Sequence, residues 1–112
     1  MTYEDAIQHA LVALSDPTRR KIFESLKSGS RSVADLAEHQ PVSRPAVSQH
    51  LKVLETAGLV QVRPKGNRRL YSIKQDGLET LRTYLDGFWN DVLTAYAAEI
   101  EAKFSTEEED EK

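Results

Sequence analysis

Arg44, Ser48, Gln49 and Lys52 are interleaved with Val47, Leu51 and Leu54 in the stretch VSRPAVSQHLKVLETAGLV, residues 42–60. The three apolar residues fall at i, i+4 and i+7, the spacing of a helix that buries one face. Pro45 and the four polar residues then share the other face, with Ser43 just ahead of them. A face of this kind can read DNA. Gln49 can make a bidentate contact to adenine, and Arg44 or Lys52 can reach guanine or phosphate. Ser48 is short enough to let the backbone approach the floor of a groove. Further along, Arg63, Lys65, Asn67, Arg68 and Arg69 crowd a short segment, a density of donors suited to phosphate or minor-groove contact.

The elements that must hold these residues are marked by short, regular punctuation. Thr2 can cap a first helix over about residues 3–14, with Ile7, Leu11 and Leu14 as its apolar stripe. Asp16-Pro17 combines an N-capping acid with a proline in the first helical position, so a second helix runs from there to about Lys27, burying Ile22, Phe23 and Leu26. Ser32 opens a third, with Asp35 in the first turn, favoured by the helix dipole, and Val33, Leu36 and Ala37 inward. After the tight QPVS connection, Pro45 starts the helix at about 44–57, capped by Ser43 or Arg44, and Gly58 stops it. LVQVR and RRLYSI, joined by PKGN, read as a two-stranded hairpin over about 59–73. Asp76 and Glu79 look like a capping box for a long last helix reaching about Lys103. The fold class expected is mainly α with a small β-hairpin: about five helices plus a two-stranded wing, in one domain over 1–104. An acidic, flexible tail follows over 105–112.

Charge supports the same reading. The chain of 112 residues has a net charge of −3, yet between Arg19 and Lys74 twelve Lys/Arg face four Asp/Glu, a local balance of +8. A basic middle inside an acidic chain is the footprint of a polyanion-binding surface. No apolar run approaches the roughly 20 residues of a membrane span. MTYEDAIQHA lacks the basic, then apolar, pattern of a signal peptide. The chain has no cysteine, which removes disulfides and thiolate metal sites. A cytoplasmic protein is expected. An enzyme is not: no Gly-rich phosphate loop and no His–acid pair at useful spacing is present, and Asp86 and Asp91, five apart, would not converge.

Helix, short turn, helix and hairpin together make a helix-turn-helix with a β wing, whose second helix can lie in the major groove. LSDPTRRKIFESL, SVADLAEHQPVSRPAVSQHLKVLETAGLV and GNRRLYSI resemble the ArsR/SmtB family of winged-helix transcriptional repressors, from about Leu11 to Asp76. The resemblance implies a homodimer joined by its first and last helices, which binds a palindromic operator in double-stranded DNA and blocks transcription. Many members of that family sense metals, and here the sequence departs. The family's Cys-x-Cys pair is replaced at Val33-Ala34-Asp35-Leu36. The last helix offers Asp86, Asp91 and Glu99 but no histidine, and carboxylates alone make a poor zinc site. His9, His39 and His50 fall on three different helices. No metal and no cofactor are expected, and the likeness is to the metal-independent members; an effector, small molecule or protein, is left unidentified.

The last helix carries Leu78, Leu81, Leu85, Phe88, Val92, Tyr96 and Ile100 in near-heptad register, with Tyr84, Trp89 and Leu93 beside them. At about 28 residues it would run about 40 Å, longer than a small winged domain can cover, so a second copy of the chain is the simplest partner. The expected dimer face is Ile7, Leu11, Leu85, Phe88, Trp89, Val92, Tyr96 and Ile100. A rival reading has Trp89 and Tyr96 line a small-molecule pocket. An alternative for the whole chain is a winged protein-interaction module without DNA contact. Such a module would replace Arg44, Gln49 and Lys52 with apolar anchors.

Overall fold

The structure is a computed structural model, which describes residues 2–110, with side chains described through 106. In chain order it contains α1 (Tyr3–Ser15), α2 (Pro17–Ser25), α3 (Val33–His39), α4 (Arg44–Thr56), β1 (Val60–Lys65), β2 (Arg68–Ile73) and α5 (Gln75–Asp110). Five helices and one antiparallel hairpin are the elements the sequence predicts. The chain forms two compact units, Met1–Leu81 and Arg82–Lys112. α5 belongs to the first unit through Leu81 and makes up the second from Arg82 on.

Each helix start in the first unit has a physical cause. Thr2 Oγ1 accepts from the Asp5 backbone N–H at 3.1 Å, and Asp16 Oδ1 from that of Arg19 at 2.9 Å. Ser32 and Asp35 form a reciprocal capping box: Ser32 Oγ accepts from Asp35 N–H at 3.2 Å, and Asp35 Oδ2 from Ser32 N–H at 3.3 Å. The cap of α4 is Ser43, whose Oγ accepts from Ala46 N–H at 3.3 Å. Arg44 is therefore the first residue inside the helix, where the restraint imposed by Pro45 is tolerated.

The core of this unit is built by Ile22, Leu36, Val47, Leu51, Leu54, Leu59 and Val60, all fully or almost fully buried. At roughly 1.5–3 kcal/mol for each large apolar side chain removed from water, these contacts dominate its stability. Of the expected α1 stripe, Ile7 and Leu14 turn inward, whereas Leu11, also expected on the dimer face, does not. Ile7, Ala10 and Ala13 are buried and Leu14 is half-buried, while Leu11 and Val12 are exposed. Two alanines on the inner face let α1 lie close to its neighbours and rotate Leu11 outward.

The hairpin is tighter than PKGN suggests. Pairing runs from Val60 opposite Ile73 to Lys65 opposite Arg68, so Pro64 and Lys65 belong to β1 and only Gly66 and Asn67 form the turn. Gly66 has φ of 62° and Asn67 does not take a positive φ, the pattern of a type II′ turn, which matches the twist of its strands. Pro64 is tolerated because the sheet has two strands, so its missing donor falls on an outer edge.

α5 begins two residues earlier than a cap at Asp76 would place it. Gln75 is its first residue and Leu78 N–H donates to Lys74 carbonyl oxygen at 3.3 Å, so Asp76 sits in the first turn rather than at the cap, and the proposed capping box with Glu79 is not formed. Gly77, which the sequence did not single out, packs against backbone: a Cβ there would run into the Gly58 carbonyl. The helix also continues beyond Lys103 to Asp110. The expected flexible tail at 105–112 thus begins within a helix; residues 111–112, and the side chains from 107 on, lie outside the described residues.

Candidate nucleic-acid interface

α4 divides its side chains as the spacing requires. Val47, Leu51 and Leu54 are fully buried, whereas Ser43, Arg44, Pro45, Ser48, Gln49 and Lys52 are exposed. α2 and α3 both pack against α4, so the buried stripe locks the helix in place with its polar side outward. Arg44 and Lys52 enter no ion pair among the described residues. His50, beside this face, is half-buried and close enough to the Asp16 carboxylate to act on it electrostatically. The Arg19 N–H bond is the main cause holding Asp16 below its ordinary value, and the Arg19 and His50 charges add to it.

The wing is fixed from its inner side. Arg31 and Tyr71 exchange backbone hydrogen bonds, Arg31 N–H to Tyr71 carbonyl oxygen at 2.9 Å and the reverse at 2.8 Å, so a single bridge continues the sheet beyond β2. The Arg68 guanidinium donates to Ser32 Oγ at 3.0 Å and to Asp35 Oδ2 at 3.1 Å. The Ser32 hydroxyl is the largest cause holding the Asp35 carboxyl below its usual value. The Ser32 N–H and the Arg68 and Arg31 charges add to it, against a desolvation that raises it. The α3 capping box thus doubles as an anchor for the wing. Arg63, Lys65, Asn67 and Arg69 stay exposed along the hairpin.

These contacts correct the charge argument. Of the twelve basic residues between Arg19 and Lys74, three work inside the fold. Arg19 Nε donates to the Ala13 carbonyl and Arg20 to the Leu14 carbonyl at 2.8 Å, where they satisfy the C-terminal carbonyls of α1. Arg68 is engaged by Asp35 and Ser32. Ser32 as the start of α3 and Asp35 in its first turn were readable in the sequence, but the second task of their capping box needed the position of β2, which no local pattern supplies.

The expected dimer residues fall into two groups. Leu11, Leu85, Phe88, Trp89, Val92, Tyr96 and Ile100 are exposed, Phe88 at 61 % and Trp89 at 60 %. Ile7 is only 6 % exposed, already covered within its own chain, and so it leaves the candidate face. Trp89 and Tyr96 line neither of the two clefts described in the structure. No group of three or more His, Asp or Glu is placed to hold a metal ion among the described residues, and no described helix is long and apolar enough to cross a membrane.

Comparison with known proteins meets this geometry directly. Residues 16–62, which hold α2, α3, α4 and the start of the wing, match the family described as "Bacterial regulatory protein, arsR family". The chain is 56 % identical over 91 residues to the HTH-type transcriptional regulator Rv2034 of Mycobacterium tuberculosis, covering 81 % of this chain and 85 % of that protein. The chain belongs to the arsR family of bacterial regulatory proteins. It is also 37 % identical over 84 residues to the transcriptional repressor SdpR of Bacillus subtilis, covering 71 % of this chain and 93 % of the other. Among solved structures, it resembles the homodimeric winged helix-turn-helix DNA-binding domain of a Mycobacterium bovis protein, with a TM-score of 0.64 and 26 % identity over 73 % of this chain and 77 % of that one. The arsR-family relatives are transcriptional regulators, which favours the DNA-binding reading over the protein-interaction module.

Proposed function

We propose that the chain is a homodimeric transcriptional repressor that binds a palindromic operator, without metal or cofactor, in the cytoplasm. α4 enters the major groove with Ser43, Arg44, Pro45, Ser48, Gln49 and Lys52 toward the DNA, and the wing places Arg63, Lys65, Asn67 and Arg69 against the backbone. One observation carries this reading: α4 buries Val47, Leu51 and Leu54 fully and keeps Arg44, Ser48, Gln49 and Lys52 of its other face in solvent beside a basic hairpin. Gln49 and Arg44 read base edges, and the remaining cations neutralise phosphates. Arg68 acts mainly as a strut, since Asp35 and Ser32 already hold its guanidinium.

A second subunit covers the exposed α5 stripe and, separately, Leu11, and the likeness to a homodimeric M. bovis domain supports a dimer. Two copies present two reading helices to a two-fold site. Footprinting on the DNA upstream of the gene tests the whole reading. A protected, roughly symmetric site is expected, with affinity falling steeply as salt rises. Equal affinity for a scrambled duplex would rule the proposal out.

A further inference from the structure

Between α1 and α4 lies an open groove of about 390 Å³, at the lower end of the size range of small-molecule sites. Its floor is apolar, made by Val12, Ala13, Val53 and Ala57, and its rim carries Lys52 and His9. No carboxylate lines it. Val12 and Val53 keep 57 % and 40 % of their surface in solvent, and neither has a task in the core or in the DNA reading. The proposed dimer face does not account for them. Leu11 does not line the groove and is turned about 100° from Val12 and about 160° from His9 around α1, so only the Gln8 edge of the groove adjoins that face.

We propose that this groove is the effector site, and that its ligand is a small apolar monocarboxylate. The apolar body lies on the valines and alanines, and the carboxylate meets the Lys52 ammonium and a His9 ring N–H. Charge complementarity selects the acid: a cationic rim without a competing carboxylate favours an anion over a neutral or cationic ligand of equal bulk. Gln49 also lines the groove, so the site shares two residues with the face assigned to DNA. A bound carboxylate therefore holds Lys52 away from phosphate and lowers operator affinity. The regulatory half of this proposal rests on the DNA-binding reading; the binding half does not.

Octanoate, octan-1-ol and octylamine, titrated into the full-length protein without DNA, test the binding half by amide chemical shifts. Saturable shifts centred on Val12, Val53 and Ala57 are expected, with octanoate about five-fold tighter than the alcohol and the amine weakest. Lys52→Met should bring octanoate down to the affinity of the alcohol. Val12→Trp, which fills the groove from an exposed position, should abolish the shifts and keep DNA affinity. Equal affinities for the three probes, or shifts centred elsewhere, would overturn the site. So would Val12 and Val53 amides that move on dilution of the protein and ignore octanoate, which would give the groove to a second copy of the chain. For the regulatory half, octanoate should lower affinity for the upstream duplex several-fold in the wild type and leave Val12→Trp unaffected. Loss of DNA binding in both would mark a nonspecific effect and overturn the effector role, as would no loss in either. If the protein binds no DNA even without octanoate, the DNA reading fails while the shifts still establish the site.

Discussion

α4 and α5 carry the same kind of apolar stripe with opposite results. In α4, Val47, Leu51 and Leu54 are fully buried beneath α2, α3 and the wing. In α5, Phe88, Trp89 and Tyr96 each keep about three-fifths of their surface in solvent. Spacing states which side of a helix is apolar; it does not state what covers that side. In α4 the cover comes from the same chain, because its neighbours in sequence are short helices that fold back on it. α5 runs on to Asp110, about 54 Å at 1.5 Å per residue, and supplies more apolar surface than its own chain covers. A contiguous aromatic patch of this kind marks an interaction site.

Truncating each stripe should break the two helices in different ways. Leu51→Ala should produce the largest loss, about 2–5 kcal/mol of folding stability, seen as a fall in denaturation midpoint at every protein concentration. Trp89→Glu should leave the core of the first unit intact and dissociate the dimer, with the sedimentation mass falling to that of one chain. Operator affinity should then drop on the order of 100-fold, because two linked half-site contacts become one. A dimer that survives Trp89→Glu would show that the α5 stripe is covered by something other than a second copy.

Much of this architecture was legible in the residues, and what was not has a consistent cause. Local rules were sufficient for Thr2, Asp16 and Ser32 as caps, for the buried face of α4 and for a hairpin around Gly66, because each depends on neighbours within a few positions. They failed where tertiary packing decides. Ala10 and Ala13, absent from the expected apolar stripe of α1, are buried beside Ile7, so the covered face of α1 is turned away from Leu11. Asp76 lost the capping position because Lys74 is held by a hydrogen bond from its N–H to the Leu59 carbonyl at 2.9 Å, so the helix starts directly behind it. For the candidate DNA face, the residue types and their exposure on α4 were readable. The engagement of Arg19, Arg20 and Arg68 was not, since a count of charges does not show which ones are already bonded.

The two faces of α4 give a finer test of the same contrast. Gln49→Ala touches nothing in the core, so folding stability should stay within about 0.5 kcal/mol of the wild type. Operator affinity should fall by about 1–3 kcal/mol, with relaxed preference at one base position. Binding measured against operators substituted at each position checks both parts. A stability loss comparable to that of Leu51→Ala would show that the polar face is not free.

The smallest effect concerns charge, where Arg68 and Arg44, both exposed, contrast a guanidinium bonded within the chain with one in no ion pair among the described residues. Asp35 has its pKa lowered in the fold, first by the Ser32 hydroxyl, then by the Ser32 N–H, with Arg68 and Arg31 contributing. A carboxyl whose folded value lies below its unfolded value stabilises the fold fully above the unfolded value and loses that contribution as pH falls through the folded one. Lowering the pH through and below the ordinary carboxylate range should therefore loosen the hold of α3 on the wing before the core of Leu51 and Leu54 responds. The reporter is hydrogen-exchange protection of the Tyr71 N–H, bonded to the Arg31 carbonyl at 2.8 Å. Asp35→Asn should start with weaker protection at neutral pH and show a shallower acid dependence, the remainder coming from Asp16, whose value is also lowered. In that variant Arg68 is released, so lower wing order should accompany a steeper salt dependence of DNA binding as one more cation becomes available to phosphate. An unchanged salt slope would mean that Arg68 serves the wing alone, and that the exposed cations of α4 and the hairpin carry the backbone contact without it.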